Sequence, residues 1–286
     1  MKKINLPLAV LAIFITGTYA LVANAGHAWG KYHWDISSVS SAAIPLELVD
    51  NLTGIWTEDF SLKTASARGN TALQEEQDLN SVLTTEWVNG VHIPDRTSCE
   101  DSPGVVEVCN VKVESGWLGL APIWATRGRS NHIVRAVVKV NDFYFDQDFY
   151  NSKAWRDYVM CQEVGHTFGL NHQNTEFDDD NLGTCMDYTD DPTGNTRGGL
   201  SNISPNVHDY DQMVEIYAHL NSTDGGGGGK GKGKKSKNAG DGAAIDLNNP
   251  SEWGQAIGQD ASGQNNLFER NLANGQVLVT HVLWAN

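Results

Sequence analysis

Residues 161–172 read CQEVGHTFGLNH, and within them Gln162, Glu163, His166 and His172 are the side chains able to handle a metal ion and a proton. On a helix, positions i and i+4 project from one face one turn apart, so Gln162 and His166 can approach a single ion together. Glu163 lies beside them, a carboxylate placed to take a proton from metal-held water without binding the metal. Gly169 permits the backbone reversal that returns His172 to the same ion. Two imidazoles and a third donor leave one corner of a tetrahedral site open to water, as a catalytic zinc requires. A glutamine carbonyl is a neutral oxygen donor, weaker toward zinc than imidazole. It should lower metal affinity while leaving the ion the stronger Lewis acid.

Downstream, residues 183–188 read GTCMDY. Together with QEVGHTFGLNH, this stretch resembles the metzincin family of zinc endopeptidases. That family's long signature is His-Glu, two residues, His, two residues, Gly, two residues, His, followed by a methionine-containing turn. Every fixed position is met except the first, where Gln162 stands. The resemblance implies zinc held by Gln162, His166 and His172, with Glu163 as general base and Met186 supporting the site from below. Tyr188, two residues after the methionine as in astacin- and serralysin-type members, is implied to stabilise the oxyanion. It also implies a strand edge that binds substrate in extended form, for which residues 116–124 (GWLGLAPIW) are the candidate. As a fold expectation the resemblance spans residues 27–222, and its specific motifs are confined to 161–188. The alternative reading is a zinc-binding but catalytically inactive secreted protein, or a metal-free scaffold in which Gln162 is only a polar residue on a helix face.

A helix over residues 150–170 must present these groups, since Trp155, Val159, Gln162 and His166 recur at its i, i+3, i+4 spacing and Gly169 stops it. Strands are expected at 27–36, 44–56, 104–113, 117–124 and 133–145, and a helix running into a strand at 71–88. A second helix at 208–220 carries an apolar stripe of Met213, Ile216, Tyr217 and Leu220. The fold class expected is α+β: a twisted mixed sheet, an active-site helix and a C-terminal helix. Five glycines at 225–229, followed by Lys-Gly alternation to Lys237, form a flexible linker over 223–240 that is too poor in apolar residues to fold. Residues 241–286 end in QVLVTHVLWAN, a strand or hairpin in a small β-rich segment that is near the lower size limit for folding alone.

Lys2 and Lys3, an apolar run, and Ala23-Asn24-Ala25 together read as a signal peptide over residues 1–25, with the catalytic domain following at 26–222. Export lets the four cysteines pair, with three pairings open. Cys99 with Cys109 and Cys161 with Cys185 is the favoured set, because the second pair ties the motif helix to the segment beneath the metal. A cysteine zinc site lacks the usual CxxC spacing. The net charge of −15 disfavours nucleic acid and anionic membrane as partners, while the metzincin resemblance implies protein or peptide substrates. His27, His132 and His208 are weaker candidates for a third zinc ligand. Asp142, Asp146, Asp148 and Asp178 to Asp180 are candidates for calcium, although acidic loops are usually only solvated.

Overall fold

The computed structural model describes residues 32–34, 43–48, 84–89, 99, 101–128, 131–217 and 245–285. The expected signal peptide over 1–25, residues 71–83, the expected linker at 223–240 and His27 lie outside the described residues.

The fold is mixed α+β, built on one curled mixed sheet with few helices. In chain order the strands are β1 (His33–Trp34), β2 (Ala43–Leu48), β3 (Thr84–Asn89), β4 (Val106–Val111), β5 (Trp117–Thr126) and β6 (His132–Asn141). Two helices follow, α1 (Asp142–Phe145) and α2 (Lys153–Thr167), and then α3 (Val207–Tyr217). The C-terminal unit contributes a 3-10 turn at Pro250–Glu252 and three further strands, β7 (Gln255–Gln259), β8 (Asn265–Asn271) and β9 (Gln276–Trp284). Across the sheet the order is β3-β2-β4-β6-β5-β9-β8-β7, with β1 beside β6. The β2–β3, β2–β4, β4–β6 and β1–β6 pairs are parallel, whereas β5 runs antiparallel to both of its neighbours and begins an antiparallel half that ends in β7.

Strands buried on both faces read as continuous apolar runs rather than alternations. Accordingly, β5 is buried from Trp117 to Ala125. On one of its faces, Leu118, Ile123, Val138, Val140, Val277, Val279 and Leu283 pack against Tyr158, Val159, Val164 and Phe168 of the α2 region. On the other, Trp117, Leu120 and Val282 meet Trp253 and Phe268, while Trp124 and Leu278 meet Leu247. The segment 245–253 thus covers the side that α2 leaves bare.

One expected strand is shorter than the sequence suggests. Residues 133–145 read as a single run, but the Asn141 side chain accepts from the Phe143 N–H, ends β6 and starts α1. The same side chain donates to the carbonyls of Val113 and Trp117, pinning the entry to β5. Cys99 pairs with Cys109 and Cys161 with Cys185, at Cα separations of 6.2 and 5.9 Å, inside the span of a disulfide. No helix among the described residues is long and apolar enough to cross a membrane.

Candidate metal centre

Helix α2 starts at Ser152, whose hydroxyl accepts from the Trp155 N–H, and it ends in a glycine-stopped turn. Gly169 takes φ +97°, its N–H donates to the His166 carbonyl, and the Leu170 N–H reaches back to the Gly165 carbonyl. A side chain at Gly169 would also meet the Tyr32 carbonyl oxygen 2.3 Å from its Cβ. This turn redirects the chain so that His172 returns to His166.

The two imidazoles face each other with Nε2 atoms 3.0 Å apart. His166 Nδ1 lies 2.9 Å from the Leu170 carbonyl oxygen, which can only accept, so that nitrogen carries the proton and Nε2 presents its lone pair. A third imidazole joins them. His281 of β9 stacks on His166 with ring centroids 3.8 Å apart, and ligand atoms of His166, His172 and His281 all lie within 4.8 Å of one another. Imidazoles bonded at ~2.0–2.1 Å to one tetrahedral zinc would have nitrogens about 3.3 Å apart, so the grouping suits a single ion. Burial, and then the charges of His166 and His172, hold His281 well below its ordinary pKa, which favours the neutral form that ligates metal.

Glu163 is buried against β5: a Cβ on Gly119 would stand 2.5 Å from its Oε1, so only glycine leaves room for it. Neither carboxylate oxygen has a hydrogen-bond partner among the described residues, and burial pushes this carboxyl well above its usual range. An orphaned buried carboxylate costs free energy unless a cation or donor compensates it. Gln162 is buried too. Its amide nitrogen donates to the Cys185 carbonyl at 2.9 Å and to the Tyr158 hydroxyl, while its Oε1 has no hydrogen-bond partner.

Beneath the helix lies the 183–188 turn. Met186 is fully buried against Gly165, where a Cβ would meet its sulfur at 2.5 Å. The turn is held by bonds from Gln173 N–H to the Met186 carbonyl and from Tyr188 N–H to the Asn174 carbonyl, by the Cys161–Cys185 pair, and by Asp187. Asp187 Oδ2 accepts from the Leu182 N–H and from Asn202. Burial raises the Asp187 carboxyl to about 6 against the pull of those two bonds. Burial likewise raises the Tyr188 phenol, which stays protonated, accepts from Asn266 at 3.0 Å and donates to the Val282 carbonyl at 3.4 Å.

Of the residues singled out in the sequence, His166 and His172 come together directly. Tyr188 packs its ring against His172 with centroids 4.5 Å apart, Glu163 lies three residues before His166 on α2 and against Gly119, Met186 lies against Gly165, and Gln162 sits one helical turn before His166. The third member of the histidine group is His281, which the sequence analysis did not select. A lone histidine inside the apolar alternation of QVLVTHVLW was the available signal. His132 instead packs its ring on His33, and His208 lies on α3. Among the calcium candidates, Asp142 accepts from Asn110, Asp146 pairs with Lys112, and Asp179 accepts from Asn174. Searches against protein-family models and against curated proteins both return no match.

Proposed function

We propose that this chain is a secreted zinc-dependent endopeptidase of the metzincin type. The observation that carries the reading is the convergence of His166, His172 and His281, with a buried Glu163 three residues before His166 on α2 whose carboxylate has no hydrogen-bond partner among the described residues. His166 and His172 would hold the ion, with His281 and the unpartnered Gln162 Oε1 as further donors. When bound, zinc would supply a Lewis acid that polarises a scissile carbonyl and lowers the pKa of water. Glu163 takes the proton from the attacking water and passes it to the leaving amine, a transfer that its raised proton affinity assists. Tyr188, still protonated at neutral pH, donates a hydrogen bond to the developing oxyanion. Met186 and Gly165 set the height of α2 over the turn and touch no substrate.

A second reading has one observation in its favour. Glu163, His166, Tyr188 and His281 are each 1% exposed, an enclosure typical of a structural zinc that staples the C-terminal unit to the rest. Glu163→Gln separates the two. The peptidase reading expects one bound zinc, chelator-sensitive cleavage of a denatured protein, and loss of that cleavage in Glu163→Gln with zinc retained. Cleavage that survives the substitution removes Glu163 as the base. Zinc binding without any chelator-sensitive cleavage favours the staple.

A further inference from the structure

We infer that the C-terminal unit, residues 245–285, is a tethered inhibitor: its strand β9 occupies the edge of β5 on which an extended peptide substrate lies, and its His281 closes the metal centre. The inference rests on the peptidase reading and concerns the regulation of that same site.

An extended peptide joins a sheet by pairing its backbone with an open strand edge, leaving alternate side chains to settle specificity. One edge of β5 is taken by β6. The other is the edge beside the site, and β9 fills it antiparallel from Trp117↔Trp284 to Thr126↔Gln276, with a register shift between Trp117 and Gly119. That register sets His281 opposite Ala121, two residues from Gly119, where Glu163 rests. A peptide on this edge therefore passes across the histidines, and β9 passes there now.

The C-terminal unit also engages the other working groups. Its Asn266 and the Val282 carbonyl together engage the Tyr188 hydroxyl, and His281 stacks on His166. Substrate reaches neither group while the unit is docked. His166, His172 and His281 supply three imidazoles, and with Gln162 Oε1 as a fourth donor the site would be closed, whereas a catalytic zinc keeps three protein ligands and an open corner. The donor that leaves is His281, because it alone comes from the docked unit. Gln162, His166 and His172 belong to α2 and the turn after it and stay behind.

Residues 225–237, GGGGGKGKGKKSK, precede the unit in sequence and carry five lysines, each a cleavage point for a trypsin-like protease. Docking is tight nonetheless: Val277, Val279 and Leu283 are buried on the α2 side, and Leu278 and Val282 on the other. The closed state therefore dominates and basal turnover is low.

The test uses the full chain. His281→Ala should raise chelator-sensitive cleavage of a denatured protein at least tenfold over wild type while weakening zinc binding. A cross-strand lock, Thr126→Cys with Gln276→Cys, joins facing positions whose Cα atoms lie within disulfide reach in an antiparallel pair. When oxidised, the lock should cancel that rise and reduce wild-type basal cleavage to background, whereas Thr126→Ser with Gln276→Ser should do neither. A second readout is independent of activity: zinc should slow hydrogen exchange of the β9 amides in wild type and not in His281→Ala. Full cleavage by the locked chain, or loss of both zinc and cleavage in His281→Ala, overturns the inference, since His281 is then a permanent catalytic ligand. Should no variant cleave while zinc still slows β9 exchange, the peptidase reading fails, the inhibitory role falls with it, and a zinc-clamped strand remains.

Discussion

The stretch from Gln162 to Tyr188 and the C-terminal unit each contribute to one site, but they are held in different ways. In the first, the chemistry-bearing side chains are placed by local geometry: one helical turn from Gln162 to His166, a left-handed glycine, a disulfide and a hydrogen-bonded turn. In the second, His281 is placed by strand pairing with residues some 160 positions earlier, at Ala121. Local geometry writes itself into residue spacing, whereas long-range register depends on which strand a segment finds. On the peptidase reading, the first region would set the chemistry and the second access to it.

The largest effect expected is on Glu163→Gln, which should lower chelator-sensitive cleavage by about 10²–10⁴-fold with zinc stoichiometry unchanged. Steady-state kinetics beside metal analysis reads it, and equal losses of zinc and rate would make Glu163 part of the fold rather than of the chemistry. Next is Trp253→Ala. This indole is fully buried under β5 and β8, with its Nε1 donating to the Leu247 carbonyl, so truncation should cost about 3–5 kcal/mol in denaturant unfolding. The C-terminal unit should loosen first, seen as faster hydrogen exchange in residues 245–285 than in α2. Uniform acceleration would deny that the two regions are separable.

A smaller loss, about 1–3 kcal/mol, is expected for Gly169→Ala, which forces a Cβ into a left-handed backbone and against the Tyr32 carbonyl. It should displace His172 and weaken zinc binding, measured by chelator competition. The smallest concerns Asp191, in the loop after the 183–188 turn. Burial pushes its carboxyl up, but hydrogen bonds from Thr193 and Thr196 prevail and hold it at about 2. A carboxyl lowered on folding adds stability that is present above its unfolded value of about 3.9 and is lost as pH falls through its folded value. Asp191→Asn should therefore be less stable than wild type at neutral pH and converge with it between about pH 4 and pH 2. A parallel pair of acid unfolding curves would contradict the assignment.

Much of the first region was legible. The repeat of Trp155, Val159, Gln162 and His166 announced α2, Gly169 its end, and the cysteine positions the pairing that draws the turn under the helix. Gln162 reads in the sequence as a carbonyl-oxygen donor to zinc; its nitrogen holds the Cys185 carbonyl, and its oxygen meets no hydrogen-bond donor among the described residues. Residues 133–145 misled because Asp142 to Phe145 continue the apolar character of β6, while the break is made by the Asn141 side chain, a tertiary contact with Val113 and Trp117. The C-terminal strand itself was readable from QVLVTHVLW, but its neighbour was not. Nothing in an alternating run says whether it closes a small hairpin or completes the sheet of a distant segment, and so the place of His281 follows from the strand register alone.

The account stands on three imidazoles meeting at one ion. X-ray absorption at the zinc edge, on the zinc-loaded full chain and on His281→Ala, measures that directly. The prediction is three imidazole ligands at ~2.0–2.1 Å in wild type and two in the variant. An identical imidazole count in both proteins, or a wild-type chain that binds no zinc, would contradict it.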